Sequence, residues 1–270
     1  MTIRFTKAHG AGNDFLLTWA EDLPQDAALP AIARAICNRH TGVGADGWML
    51  VRRDSIRLFN ADGSEPELSG NGTRCAAALL VHSGLADSDV TLHTGAGPKH
   101  LKLIERAGLR YLFEMDMGLP VFRQEELRFP LALARGAREV AIVNVGNPQC
   151  AVFVDAFPEA WLSLGAEIEA HAHFPKHTNV SFIRVLDQHA IEVRFFERGV
   201  GETLSSGTGS TGAAVAAILR GQVESPVRIQ TPAGDLHLRW SDSVWLTGPA
   251  EIAATGEFYV DSEQTPPLSV

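Results

Sequence analysis

Cysteine is scarce in this chain and unsuitably placed for any framework. The three thiols, Cys37, Cys75 and Cys150, are odd in number and widely spaced. That excludes a disulfide scaffold and any Cys-x-x-Cys metal pattern, and they read as reduced, structural groups. Basic charge is also short, with 23 Lys and Arg against 32 Asp and Glu and a net charge of −9. Such a balance opposes phosphate backbones and anionic membrane surfaces, so no nucleic acid and no membrane partner is expected. No apolar run approaches the roughly 20 residues a bilayer span needs, and the stretch MTIRFTKAHG has no signal-peptide core. A cytoplasmic protein is therefore expected. Two nucleotide signatures are missing as well. No Lys follows either Ser-Gly-x-Gly element, as a phosphate-binding P-loop requires, and no GxGxxG follows a strand with an acidic partner downstream.

What the chain does contain, it contains twice. Arg57 to Leu80 (RLFNADGSEPELSGNGTRCAAALL) and Arg194 to Ala217 (RFFERGVGETLSSGTGSTGAAVAA) lie 137 positions apart, with Glu65 and Glu202 at matching steps. The same offset relates His40-Thr41-x-Val43 to His177-Thr178-x-Val180, and Gly12-Asn13 answers Gly146-Asn147 three residues out of step. A period of half the chain is too long for a solenoid and reads as a duplicated domain. Two like halves can face each other across a cleft and present one chemical element to opposite sides of a small molecule. The expected division is 1–118 with the C-terminal strand 256–270 returning to it, and 119–255.

Composition is that of an ordinary globular chain, 45% hydrophobic and 20% charged. Short strands are expected at 3–5 and 16–19, flanking the turn HGAGND, and a helix over Pro30 to His40. A hairpin follows at 48–51 and 56–59, then a loop that turns into a helix over Cys75 to Val81. Strands are expected at 90–93, 101–104, 109–115 and 140–143. The second half gives a helix over 160–170, a hairpin within 180–196, a helix over 208–220, and strands at 227–231, 235–240, 243–248 and 256–260. Helices as small and apolar as AAALLVH and GAAVAAILRG must be enclosed on nearly all sides. The expected fold class is therefore α/β: an α+β roll of two pseudo-symmetric domains, each a rolled, mostly antiparallel sheet around a central helix.

SGNGTR and SGTGST each place Ser, Gly and Thr just before such a helix. There the first backbone N–H groups lack intrahelical partners, the dipole is positive, and glycine lets a carboxylate approach the backbone. For a single copy, Ser69 or Ser206 would read as a helix cap and nothing more. Two copies at matching positions point to a shared ligand site.

Six ordered motifs, HGAGNDF (9–15), FNADGSE (59–65), SGNGTRC (69–75), GNPQC (146–150), TNV (178–180) and ERGVGETLSSGTG (197–209), resemble those of the diaminopimelate epimerase family. The resemblance implies two pseudo-symmetric α/β domains with the active site between them, no cofactor and no metal, and a small amino-acid substrate; a homodimer is open to it. It also implies inversion at Cα by two cysteines, one removing a proton as thiolate and the other supplying one to the opposite face. Those cysteine positions fall on Ser69 and Ser206, and the histidine of the family's GNPHC falls on Gln149. Ser69, Ser206, Glu197 and Gln149 are thus the catalytic candidates. Asn13, Asn60, Gly70, Asn71, Asn147, Asn179, Glu197, Arg198, Gly207 and Thr208 are the substrate-binding ones.

A hydroxyl is far less acidic than a thiol and a poor base unless a neighbour takes its proton. The expectation is a cofactor-independent epimerase acting on diaminopimelate through altered chemistry or at reduced rate. The alternatives are a related isomerase of small carboxylates, or a catalytically impaired ligand-binding homologue, an engineered Cys-to-Ser form included. Cys75 reads as a packed thiol, and His171, His173 and His177 as surface residues without a metal. Glu65 and Glu202 either buffer the hydroxyls or satisfy the loop backbone.

Overall fold

Ser69 and Ser206 each end an extended stretch and start a helix, and the strands are wound around those two helices. The computed structural model describes residues 1–25 and 27–260. The first half runs β1 (Thr2–Gly10), β2 (Asn13–Trp19), α1 (Leu29–Cys37), β3 (Gly47–Val51), β4 (Ile56–Asn60), α2 (Gly70–His82), β5 (Asp89–Thr94), β6 (Gly97–Ala107) and β7 (Arg110–Gly118). Then come β8 (Val121–Phe122) and β9 (Phe129–Leu133). The order repeats as β10 (Gly136–Asn144), β11 (Pro148–Phe153), α3 (Trp161–Glu169), β12 (Asn179–Asp187), β13 (Ala190–Glu197), β14 (Gly201–Thr203), α4 (Gly207–Leu219), β15 (Val227–Thr231), β16 (Gly234–Trp240) and β17 (Val244–Tyr259).

Pairing repeats with the order. β1–β2 and β10–β11 are antiparallel, β2–β3 and β11–β12 parallel, and β3–β4 and β12–β13 antiparallel. The crossovers in the two parallel pairs carry α1 and α3, the connection that parallel strands need. In the first roll β1 to β7 follow one another in order, with an isolated bridge from Ser55, just before β4, to His93 of β5. β17 closes that roll by pairing with both β7 and β1. In the second, β8 continues from β7 and pairs with β10. β17 is thus shared, pairing with β16 of the second half while it closes the first roll.

Inside each roll lies one helix that is buried all round. Every residue of α2 from Gly70 to Val81 is buried, as is every residue of α4 from Gly207 to Ala217. Ala, Gly, Thr and aliphatic residues make up most of both helices and suit so narrow a space, while the long side chain of Arg74 in α2 is admitted beside Gly248. Both helices begin earlier than the apolar run suggests. Ser69 Oγ accepts from Gly72 N at 3.1 Å and Ser206 Oγ from Gly209 N at 3.0 Å, which makes each serine the N-cap of a 13-residue helix.

Other boundaries also differ from expectation. The two strands expected at 243–248 and 256–260 are one continuous β17, and GNPQC leads into a strand, β11, that runs parallel to β12. Of the returning segment, Gly256 to Tyr259 pair with Phe5 to Thr2, and 261–270 lie outside the described residues. Helix α1 stops at Cys37 instead of His40, because Asn38 Oδ1 accepts from His40 N and Thr41 N and turns the chain. The N–H of Gly42 then donates to Asn38 O, and those of Val43, Gly44 and Ala45 return to the last carbonyls of α1, Ile36 O and Cys37 O. A Cβ on Gly42 would sit 2.2 Å from Ala35 O and 2.8 Å from Ile36 O. Gly42→Ala should therefore destabilise the protein by about 1–3 kcal/mol, read as a lowered midpoint in urea unfolding. An unchanged midpoint would mean that the turn moves aside freely.

Candidate functional site

The two helices meet at their first residues. A Cβ built on Gly70 would lie 3.2 Å from Gly207 Cα, and one on Gly207 would lie 3.0 Å from Gly70 Cα. Side chains are excluded there, so two positive helix ends and their free N–H groups converge on one place. A cavity of about 370 Å³ opens over this junction, lined by both serines and by Asn13, Asp46, Asn60, Gly70, Asn71, Asn147, Asn179, Glu197, Arg198, Gly207 and Thr208. Of the catalytic and substrate-binding candidates, only Gln149 does not line it. The side chain is buried behind the wall, with Nε2 donating to Asn147 Oδ1 at 2.7 Å and Oε1 unpartnered, against Gly212. Gln149 thus stands behind Asn147 and away from the cavity surface, unlike Ser69, Ser206 and Glu197.

Most of the asparagines are struts. Asn71 Nδ2 reaches Asn13 Oδ1 and Ser205 O, both at 3.3 Å, so the start of α2 is tied to the loop before α4. Its Oδ1 accepts from Arg74, a fully buried cation that also donates to Pro249 O at 3.2 Å. Burial draws the Arg74 guanidinium down to about 10, and Gly248 leaves the room it occupies. Asn147 Nδ2 donates to Thr208 Oγ1 at 3.2 Å; Asn179 donates to Pro148 O and accepts from Arg198 N at 3.1 Å. Asn13 Nδ2 donates to Asp46 Oδ2 at 2.7 Å and Asn60 Nδ2 to Ser64 Oγ at 2.9 Å. Paired polar groups of this kind fix the walls before any ligand arrives.

Charge is distributed unevenly. Asp46, Glu65, Glu67 and Glu197 line the cavity, and Arg198 is the sole cation lining it among the described residues. Asp14, just behind, is held by Lys7 at 3.0 Å and Arg39 at 2.7 Å. Burial alone would raise its pKa, yet these two cations hold it below the usual carboxylate range. Glu197 goes the other way. Protein surrounds its carboxyl, which keeps a window onto the cavity, and burial lifts its pKa above the ordinary value. The Ser206 hydroxyl works against the rise, and the charge of Asp46 adds to it. Thr203 opposes it weakly, its Oγ1 reaching no partner at hydrogen-bond geometry. Ser206 thus accepts from its own helix and turns toward a carboxylate, while the hydrogen bond to Ser69 Oγ comes from Gly72 N.

Glu65 does not buffer Ser69: its carboxylate is gripped by Arg57 through two bonds of 2.9 Å. Glu202 is exposed on β14. Sequence reading missed Asp46, Glu67 and Thr203 as cavity residues. None is echoed at the 137-residue offset, so the duplication that marked the other positions gave no signal for them. Cys75 is fully buried, its thiol pushed up to about 12, and takes no part in the cavity.

A family model described as diaminopimelate epimerase matches residues 5–122 and 141–253. The chain belongs to the diaminopimelate epimerase family. Diaminopimelate epimerase of Moorella thermoacetica is 38% identical over 281 residues, covering 96% of this chain and all of the relative. That of Azoarcus sp. is 40% identical over 282 residues, covering 95% and 99%. Among solved structures, a probable proline racemase from Agrobacterium radiobacter superposes with a TM-score of 0.74 at 15% identity, covering 97% of this chain and 94% of that one. A methylitaconate-delta-isomerase superposes with a TM-score of 0.65 at 14% identity, covering 99% of each. The last two share the fold of this chain.

Proposed function

We propose that this member of the family is a cofactor-independent epimerase of the diaminopimelate type, cytoplasmic, acting on an α-carbon held between Ser69 and Ser206. Its two working halves are 1–118 with 256–270, and 119–255. The observation that carries the reading is the meeting of two serine-capped helix starts at the floor of one cavity. The free N–H groups at Gly70, Asn71, Gly207 and Thr208 suit the carboxylate next to the reacting carbon, where negative charge grows as the proton leaves. Arg198 suits a second carboxylate, as guanidinium does generally. Glu197 serves as the base on the Ser206 side, accepting the proton directly or through that hydroxyl. Gln149 positions Asn147 from behind.

Serine at both positions makes inversion slow. A hydroxyl beside a carboxylate can still pass a proton; Ser69 has no such neighbour in hydrogen-bond contact among the described residues and is a weak donor to the opposite face. A ligand-binding homologue without turnover is the second reading, favoured by the capping bond that each hydroxyl already accepts. Proton NMR of the protein with LL-diaminopimelate in D2O separates the two, since loss of the Cα signal reports deprotonation whichever product forms. No loss over days, with binding intact, would leave the second reading.

Exchange should also follow Glu197. With its pKa raised above 4.5, the carboxyl is protonated and idle at low pH, and the exchange rate should climb as pH rises through that elevated value. Glu197→Gln should abolish this limb and lower the rate by about 100-fold or more. A pH–rate profile unchanged by the substitution would remove Glu197 from the role of base.

A further inference from the structure

Arg198 is already occupied. Its Nη2 lies 3.4 Å from Glu67 Oε2, an ion pair between residues 131 positions apart that crosses the mouth of the cavity. Neither partner is free to drift. Ala96 N donates to Glu67 O at 3.0 Å, and Gly95 packs so closely that a Cβ there would stand 2.9 Å from Glu67 Cα. On the other side, Arg198 N donates to Asn179 Oδ1 and Nη1 reaches Lys176 O at 3.4 Å. The side chains are 58% exposed for Glu67 and 30% for Arg198. A pair so open to solvent shifts an equilibrium only a few-fold, so an entering ligand can break it.

Breaking it has unequal consequences for different ligands. An incoming carboxylate takes over Arg198 and leaves Glu67 without a partner, close to new negative charge. An ammonium carried on the neighbouring carbon would restore a partner to Glu67; a plain carboxylic acid has none to offer. We infer that Glu67 is a specificity-determining residue, which holds Arg198 in the empty cavity and exchanges it for the ammonium of an α-amino-acid head, so selecting against ligands that bring a carboxylate alone. The other carboxylates lining the cavity do not duplicate this arrangement: Glu65 is bound by Arg57, Asp46 by Arg39 and Asn13, and Glu197 sits beside Ser206. The inference rests on the assignment of Arg198 to a ligand carboxylate under the proposed function.

Calorimetric titration of LL-diaminopimelate and of pimelate, the same seven-carbon diacid without amines, tests it on the full chain at low ionic strength. Wild type should prefer the diamino acid. Glu67→Gln, of equal size and without charge, should narrow that preference by roughly three- to tenfold, mainly through tighter pimelate binding. Glu67→Asp should keep a preference nearer that of wild type. A preference that Glu67→Gln leaves unchanged within twofold would overturn the inference. Arg198→Gln separates the premise: weakened binding of both ligands upholds the assignment of Arg198, and undiminished binding of both shows that the assignment itself has failed.

Discussion

Cysteine placed at both Ser69 and Ser206 should raise Cα deuterium incorporation into LL-diaminopimelate by orders of magnitude over the protein as it stands. A thiol has a reference pKa near 8.5, far below that of a serine hydroxyl, and falls further at a helix N-terminus. Both positions are such termini here, each already receiving a backbone N–H, from Gly72 and Gly209, which would support a thiolate. A well-matched general acid or base is worth about 100- to 10,000-fold, and two would be gained at once. Against this, a sulfur caps a helix less well than a hydroxyl, at a cost on the order of 1 kcal/mol each. That loss lowers stability without touching the chemistry. Because inversion needs a group on each face, formation of the meso product, unlike exchange alone, should require both thiols and exceed that of either single variant by far more than the sum of their gains. Adding Gln149→His should have the smaller effect, since residue 149 lies behind Asn147 and does not line the cavity. Rates of exchange for the four combinations at 69 and 206 decide the matter. If wild type already matches the double-thiol protein, another base does the work, and if no variant exchanges the proton although the ligand binds, the substrate is a different one.

Gly207→Val should abolish tight binding while leaving most of the fold intact. Even a single Cβ at 207 would approach Gly70 Cα to 3.0 Å, Gly70 C to 3.4 Å and Asn71 N to 3.5 Å, and all three are backbone atoms that cannot rotate away. Two further methyl groups would force the helix starts apart. A displacement near 1 Å at the reacting centre can cost about 100-fold, because the N–H groups at Gly70 and Gly207 would no longer converge on one carboxylate. Affinity for LL-diaminopimelate should fall by roughly that factor, while the far-ultraviolet circular dichroism stays that of the parent, since both helices remain enclosed by strands. The same substitution at Gly84, where a Cβ would meet nothing within 4 Å but φ is +69°, supplies a control that strains a turn far from the cavity and should leave affinity unchanged. Undiminished affinity in Gly207→Val would mean that the ligand does not sit on the helix junction.

More than a list of motifs was legible in the order of amino acids. Its 137-residue echo carried the architecture, because a duplicated chain folds each copy by the same local rules. Two Ala-rich stretches had to be internal, since helices of that composition have no polar face to show to water. Ser-Gly-x-Gly located the helix starts to within a few residues, because capping chemistry is local and depends on side chains three positions apart. Family membership likewise followed from ordered motifs.

Contacts between distant segments had no such local signature. That the first roll would take its closing strand from the end of the second half depended on β17 being continuous, and nothing in Trp245 to Tyr259 distinguishes one long strand from two short ones. The position of Gln149 was not legible either, because its motif fixes its neighbours in sequence, whereas the fold turns its side chain behind Asn147. Glu67 and Asp46 entered the cavity without being repeated in the other half, so the signal that exposed Ser69 and Ser206 was silent for them. The elevated pKa of Glu197 and the ion pair of Arg198 with Glu67 belong to the folded molecule alone. Burial and the approach of charges more than a hundred residues apart are properties of tertiary packing, and no stretch of chain contains them by itself.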